Sequence, residues 1–280
     1  MFFIREKRYL TPTVFAMEIE APLVIKHAEP GHFVMIRVDE EGERIPLTIA
    51  DISPEHQTLT LIVQVVGATT YQLSQKNIGD TISDCLGPCG KATELDHLKR
   101  VILIGGGVGC AILHPIAKKL AKMKTEVLTI IGFRDQSLVI LEDDFYRLSN
   151  KLITMTDDGS YGTKGFVTEA LKNVLNEDAD FDRIIAIGPI PMMKAVSELS
   201  KPYGIKTIVS MNPIMVDGTG MCGGCRIQVG DDIKFACVDG PDFDGHLVDF
   251  DQLMKRNKAY KTYENQYYER LIKKEGERHD

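Results

Sequence analysis

Long hydrophobic runs are missing from this 280-residue sequence: no apolar window reaches the roughly 18–20 residues that a membrane span requires, so no membrane-crossing helix is expected. The opening stretch MFFIREKRYLTPTV contains two Phe and an Ile but no sustained apolar segment, and a signal peptide is not expected. An excess of basic residues is missing too. The balance of 33 Lys and Arg against 40 Asp and Glu gives a net charge of −7, which argues against a nucleic-acid partner. Internal repeats and low-complexity tracts are absent, and 44 % hydrophobic with 26 % charged residues is the composition of a folded soluble protein. The expected location is cytoplasmic. Cysteine is scarce, with six in the chain, and three of them fall near the C-terminus. In a cytosolic chain such clustering points to metal or redox chemistry rather than a disulfide framework.

The order of apolar segments predicts two large units and a smaller third. Residues 1–97 are β-rich, with strand-like runs FVMIRV (33–38), LTIADI (47–52) and TLTLIVQVV (58–66) broken by turn residues. Close spacing without helix-length apolar periods predicts a small antiparallel barrel. From residue 98 to 208 the texture alternates. RVILIGGGVG (100–109) is a buried strand ending in glycines, and CAILHPIAKKLAKM after it has helical spacing. TEVLTIIGF, KLITMT, DRIIAIG and TIVS read as further strands, with a helix predicted over FVTEALKNVL (166–175). This alternation predicts a doubly wound parallel sheet with ligands at the C-terminal strand ends. Residues 209–280 dissolve into Gly and Cys turns, short strands and a charged, partly helical tail.

Three segments carry candidate chemistry. The turn GGGVG (Gly105, Gly106, Gly107, Val108, Gly109) joins a strand to a helix, where glycine lets backbone approach a pyrophosphate and the helix start supplies free N–H groups. After the next strand, GFRDQ offers both Arg134, suited to a 2′-phosphate, and Asp135, suited to a ribose 2′-hydroxyl, so the choice between NAD and NADP stays open. In the first unit, RIPLT (44–48) and VGATTYQL (66–73) read alone as a surface strand and a capped helix start. Cys85 and Cys89 read as buried small residues, and His32, His97 and His114 have no metal-ligand partner at useful spacing.

The sharpest signal is VDGTGMCGGC followed by KFACVDG. Asp217, Cys222, Cys225 and Cys237 reproduce the C-x4-C-x2-C…C spacing of plant-type [2Fe–2S] proteins, with Asp in the first place. Thiolates are the soft donors iron requires, and the neighbouring glycines allow a tight loop with N–H groups aimed at sulfur. Three Cys and an Asp are also a conceivable zinc set, though a less usual one.

Taken together, these segments resemble the ferredoxin–NADP reductase superfamily over roughly residues 1–210. That resemblance implies an FAD barrel followed by a nicotinamide-nucleotide domain. It puts Arg44 on the FAD pyrophosphate and Thr48 near the isoalloxazine N5, with Pro46 and Leu47 between them. RIPLT has one residue more between Arg and Thr than the commonest form of the motif. Gly67, Thr69 and Thr70 match a second phosphate turn. Gly105 to Gly109, Arg134, Asp158, Gly188 and Pro189 fall on the NAD(H) side, with NADP left open.

With the cysteine loop included, the resemblance covers nearly the whole chain. It narrows to the electron-transfer subunits of dihydroorotate dehydrogenase B and their relatives, among them the small subunit of NADH-dependent reduced ferredoxin:NADP oxidoreductase, also called sulfide dehydrogenase beta subunit. The dihydroorotate branch usually has four Cys ligands, whereas Asp217 resembles the transhydrogenase branch. The implied function is an electron-transfer flavoprotein subunit that passes electrons between NAD(H), FAD and a [2Fe–2S] cluster. Its implied partner is a larger iron–sulfur and flavin subunit in a heterodimer or higher assembly, reaching ferredoxin through the complex in electron bifurcation. Alternatives are the dihydroorotate dehydrogenase B subunit itself and a sulfide- or polysulfide-linked oxidoreductase. No acid–base catalytic residue is expected in this chain.

Overall fold

Alternation in TLTLIVQ turns Leu59, Leu61 and Val63 to one face, and all three are buried, as a strand closed around a core requires. The computed structural model describes residues 1–279, with side chains through Lys273. Asp280, the last residue of the predicted tail, lies outside them. The first unit comprises β1 (Phe2–Thr11), β2 (Val14–Glu20), α1 (Pro22–Ile25), β3 (Phe33–Arg37), β4 (Arg44–Ser53), β5 (Thr58–Gln64), α2 (Ala68–Gln75), β6 (Thr81–Ile82) and β7 (Asp84–Cys89). Their order in the sheet is β6-β1-β2-β5-β4-β3-β7, and the neighbours are antiparallel. The two edge strands, β6 and β7, are separated in the chain by Ser83 alone, whose N–H bonds the Arg37 carbonyl. That one-residue step carries the chain from one edge to the other and curls the sheet into a nearly closed barrel. Strand β1 has no apolar alternation in the sequence; its FFIREKRYLT buries only Ile4 and Thr11, and charged residues occupy the four consecutive positions 5–8.

The second unit alternates as expected: β8 (Arg100–Gly106), α3 (Gly109–Lys122), β9 (Glu126–Phe133), α4 (Glu142–Leu148), β10 (Lys151–Thr156), β11 (Thr163–Lys164), α5 (Val167–Glu177), β12 (Arg183–Ile187), α6 (Ile190–Ser200) and β13 (Thr207–Ser210). The strands lie in the order β11-β10-β9-β8-β12-β13 and are parallel throughout. The chain builds outward from β8 to β11, then returns to lay β12 on the other side of β8. The order therefore reverses at β8, and the crevice above its C-terminal end is the position where such sheets take ligands.

After β13 come a hairpin, β14 (Arg226–Val229) with β15 (Asp232–Phe235), then β16 (Asp242–Asp244), α7 (Phe250–Asn257) and α8 (Lys261–His279). Strand β16 adds antiparallel to β13, so the C-terminal segment extends the parallel sheet instead of standing apart from it. Helix α3 docks on the barrel through Lys118, whose Nζ lies 2.7 Å from Asp51 Oδ2 on β4, and through Lys119, 2.8 Å from Glu29 Oε2. Both pairs are about one-third or more exposed, so packing beneath them carries the junction and the ion pairs contribute less than about 1 kcal/mol each.

Leu103, fully buried on β8, and Lys118 make a contrasting pair. Leu103→Ala is expected to lower stability by about 2–5 kcal/mol through the cavity it leaves. Lys118→Ala should cost less than about 1 kcal/mol. Urea midpoints of the two variants measured against the parent check both.

Candidate functional site

At the crevice above β8, glycine is demanded by space. A Cβ on Gly109 would run into the Ile187 carbonyl oxygen, and one on Gly106 into the Met192 sulfur, with Pro189 Cδ 3.0 Å away. A Cβ on Gly188 would stand 3.0 Å from the Gly106 Cα, so the β8 and β12 turns touch backbone to backbone. Gly107, at a φ of +55°, faces open space at the mouth of this crevice. Helix α3 begins at Gly109, and the Cys110 and Ala111 N–H groups bond the Gly107 and Val108 carbonyls of the turn itself. Gly106, Gly107, Val108, Gly109, Gly188 and Pro189 thus converge on one crevice whose shape would suit a pyrophosphate, while Gly105 is buried against Cys110 and Leu113 of α3.

At the end of β9, Asp135 Oδ1 accepts from the Ser137 N–H at 2.9 Å and from its hydroxyl at 2.5 Å. Arg134 is exposed beside it, and its carbonyl accepts the Asp158 N–H. The Ser160 hydroxyl donates to Asp158, which with the Ser160 N–H holds that carboxyl below its ordinary range. Arg134 and Asp158 are therefore joined on the rim of the crevice, and Ser160, which no sequence pattern singles out, ties them to Gln136 through its hydroxyl.

The barrel residues form a second group. Arg44 opens β4 and lies 2.8 Å from Asp84 on β7; Arg37 lies 2.7 Å from the same oxygen. Arg37 first, then Arg44, holds the Asp84 carboxyl below its usual range. Asp84 is 40 positions away from Arg44 in the chain, so only the barrel brings them together. Pro46, Leu47 and Thr48 follow on β4, half-buried. The Thr70 hydroxyl accepts the Val66 and Gly67 N–H groups at 3.0 and 3.1 Å, a capping role at the start of α2. Thr69 is buried, and its hydroxyl donates to Glu43, the neighbour of Arg44, at 2.5 Å. Gly67 has open space where a side chain would be. Both hydroxyls of this turn are thus engaged within the protein.

The third group is the cysteine loop. The Cys225 and Cys237 sulfurs are buried and 3.2 Å apart, and no disulfide joins them. Burial, then the Cys225 thiol, pushes the Cys237 thiol up, while the Gly220 N–H opposes this. Cys222 is exposed, and the Gly224 N–H points to its sulfur at 3.4 Å. The Asp217 carboxylate accepts the Thr219 and Cys222 N–H groups, each at 2.8 Å, and these keep it ionised below the ordinary range. Gly218, Gly220 and Gly223 all take left-handed φ values of +66° to +86°, which the tight loop requires. Among the described residues no three His, Cys, Asp or Glu side chains stand close enough to form a closed metal cage. Soft sulfur donors, an ionised carboxylate and N–H groups turned toward sulfur are nevertheless the donor chemistry that suits an iron–sulfur cluster.

The segment leaving the barrel and the C-terminal segment meet at a junction. Thr93, in the segment leaving the barrel, donates to Asp242 Oδ2 at 2.6 Å, and Asp242 faces Ser210 across the β13–β16 pair. Burial pushes the Asp242 carboxyl up, with Thr93 and Ser210 opposing, and its Oδ1 is shielded without a partner. A separate cleft of about 580 Å³ lies between the barrel and helices α3 and α4, lined by Lys7, Arg8, Asp51, His114, Lys118 and Asp144 among others. Two ion pairs, Lys118 with Asp51 and Arg147 with Asp144, lie in its lining, and it touches none of the three groups.

Residues 212–249 match the family described as the iron-sulfur cluster binding domain of dihydroorotate dehydrogenase B. Over 274 residues the chain is 47 % identical to a Thermotoga maritima protein named dihydroorotate dehydrogenase B (NAD(+)), electron transfer subunit homolog, covering 98 % of this chain and 96 % of that one. It is 34 % identical over 239 residues to the electron transfer subunit of dihydroorotate dehydrogenase B from Shouchella clausii, covering 82 % and 90 % respectively. Among solved structures, a chain of the NADH-dependent reduced ferredoxin-NADP oxidoreductase, studied for flavin-based electron bifurcation, superposes with a TM-score of 0.91 at 46 % identity. That match covers 97 % of this chain and 98 % of the other.

Asp242 supplies a pH test. A carboxyl whose folded-state pKa is raised costs stability as pH climbs above the unfolded value of about 4. Relative to Asp242→Asn, which keeps an acceptor for Thr93, the parent is expected to lose stability as pH rises from 4 toward 7. Urea denaturation across a pH series checks the sign.

Proposed function

The chain belongs to the dihydroorotate dehydrogenase B electron-transfer subunit family, and on that premise we propose which of its residues pass electrons between NAD(H), FAD and a [2Fe–2S] cluster on their way to a partner subunit. Bound FAD supplies the conversion between two-electron hydride chemistry and the one-electron chemistry of the cluster, and the protein's part is placement and tuning.

The residues divide the task. Gly106, Gly107, Val108 and Gly109, with Gly188 and Pro189, cradle the nicotinamide dinucleotide, and Arg134 and Asp158 hold its ribose end. Arg44 neutralises the FAD pyrophosphate once drawn from Asp84, while the turn at Gly67, Thr69 and Thr70 supplies N–H groups to the same phosphates. Pro46, Leu47 and Thr48 line the flavin ring. Asp217, Cys222, Cys225 and Cys237 hold the cluster. The three units carrying these tasks are residues 1–97, 98–208 and 209–280. The observation that carries the reading is the cysteine loop: an ionised carboxylate, two thiols and N–H groups turned to sulfur on one glycine-rich segment, with the third thiol, Cys237, 3.2 Å from Cys225. Cys222 and Met221 are exposed, the latter at 88 %, so the cluster's edge opens to the surface where a partner would collect electrons.

The finer reading is a subunit of an NADH-dependent ferredoxin:NADP oxidoreductase that bifurcates electrons. The Asp in the first ligand position favours it, and the ferredoxin-NADP oxidoreductase chain is as similar, at 46 %, as the Thermotoga maritima homolog of the dihydroorotate dehydrogenase B subunit, at 47 %. Its partner would be a larger iron–sulfur and flavin subunit that engages ferredoxin. The second reading, a dihydroorotate dehydrogenase B subunit, rests on the match over residues 212–249.

Low-temperature EPR of the anaerobically purified, dithionite-reduced protein is expected to show a reduced [2Fe–2S] signal. Asp217→Ala should lose or alter it, while Asp217→Cys should keep a cluster with shifted g-values. Zinc in place of iron on metal analysis would remove the electron exit and with it this reading. For the branch, the complex purified with its native partner should exchange electrons with NADPH and ferredoxin. Reduction of NAD by dihydroorotate would move the chain to the second reading.

A further inference from the structure

Strand β3 stands between the two redox sites proposed above. On one side it pairs with the flavin strand β4, Phe33 opposite Thr48 and Met35 opposite Pro46. On the other it pairs with β7, Phe33 opposite Cys89 and Met35 opposite Leu86. From the end of β7, the Gly90 N–H donates to the Cys237 carbonyl at 3.1 Å and the Lys91 N–H to the Gly240 carbonyl at 2.6 Å. Thr48 and Cys237 are therefore separated by two strand spacings, about 10 Å in all, and one hydrogen bond.

The packing repeats the pattern. Gly90, at a φ of +80°, is pressed so closely that a Cβ would stand 3.0 Å from the Phe33 ring, the Gly240 carbonyl oxygen and Pro241. Gly218, next to Asp217, lies on the Met35 side chain; a Cβ there would be 2.5 Å from Met35 Cγ and 3.7 Å from Cys89 Sγ. Phe33 and Met35 are buried in the same apolar core as Cys225 and Cys237, and Cys89 packs against it. These barrel residues thus form the floor beneath the cysteine loop, and their other edge is the RIPLT strand.

We propose that Met35, with Phe33 and Cys89, is a positioning residue for the cluster loop, and that the β3–β7 pair is the bridge coupling the flavin strand to Cys237. The proposal rests on the reading of the two sites given above. With FAD and cluster bound, this bridge would carry one electron per transfer from the flavin side to the cluster side. Two transfers would match the two electrons of one NADH hydride, the proton being released to water and each electron passed on to the partner subunit. Met35 sets where the Asp217–Gly218 turn rests, and Cys89, half-buried against the same core, completes the floor.

The test uses the full chain carrying FAD and cluster, and compares Met35→Ala, the volume-conserving Met35→Leu, and Cys89→Ala with the parent. Stopped-flow absorbance separates flavin reduction by NADH from the later reduction of the cluster, and EPR reports the cluster's surroundings. The expected result is unchanged flavin reduction in every variant. Met35→Ala should show shifted g-values and slower cluster reduction, with Cys89→Ala a weaker version and Met35→Leu restoring the parent's behaviour. Loss of the cluster from Met35→Ala alone, with FAD retained, would support the same role. Parental g-values and cluster reduction rates in both alanine variants would overturn it. If Met35→Ala loses FAD as well, Cys89→Ala decides by the same two readouts. A parent protein without any [2Fe–2S] signal would instead sink the reading on which this proposal stands, and the proposal with it.

Discussion

The hydrogen bond from the Gly90 N–H to the Cys237 carbonyl joins the cysteine loop to the barrel, and much of the arrangement depends on it. Gly90 can make it only by adopting a left-handed φ, in a space where the Phe33 ring and Pro241 leave no room for a side chain. The loop that follows β13 is long and rich in glycine, so on its own it would sample many conformations. Pinned at Gly90 and Lys91, and continued through β16 into the parallel sheet, it has a definite place against both units. A redox chain needs this kind of restraint, because its centres must keep their separation through every turnover.

The junction is also where the molecule tolerates an imperfect electrostatic arrangement. Asp242 is pushed toward its neutral form by burial, and one of its oxygens has no partner, a situation that ordinarily costs about 1–3 kcal/mol. Its other oxygen ties Thr93, on the way out of the barrel, to a strand that continues from the cysteine loop. The carboxyl thus fixes the mutual orientation of three segments, at some expense in stability at neutral pH. By contrast, the ion pairs between helix α3 and the barrel are exposed and weak, and orient the surfaces more than they stabilise them.

Much of this arrangement is legible in the amino-acid sequence. Strands such as TLTLIVQ and RVILIGG announce themselves because their buried faces demand apolar residues at period two or in continuous runs, and GGGVG because backbone contact at Ile187 excludes a side chain. Strand β1 is not legible individually, since its outward positions carry Arg, Glu and Lys and it is held by pairing more than by its own apolar face. The capping role of the Thr70 hydroxyl follows from its position at the start of a helix. The engagement of Thr69 with Glu43 and of Arg44 with Asp84 is invisible in the sequence, because these are contacts across a closed barrel between residues with no spacing rule.

What the sequence by itself determined are the local requirements: donor types at fixed intervals in DGTGMCGGC, glycines where backbone must approach backbone, and alternations of period two and 3.6 that decide strand from helix. These follow from covalent geometry and from the chemistry of single side chains, which act over a few residues. Tertiary structure alone decided that strand β3 lies between RIPLT and the cysteine loop, that Met35 and Cys89 form the loop's floor, and that Asp242 is enclosed. Those outcomes come from the closing of the barrel through Ser83 and the return of the chain to the sheet edge at β16. Pairing across such distances is selected by the burial and backbone hydrogen bonding of the whole chain, so no local pattern encodes it.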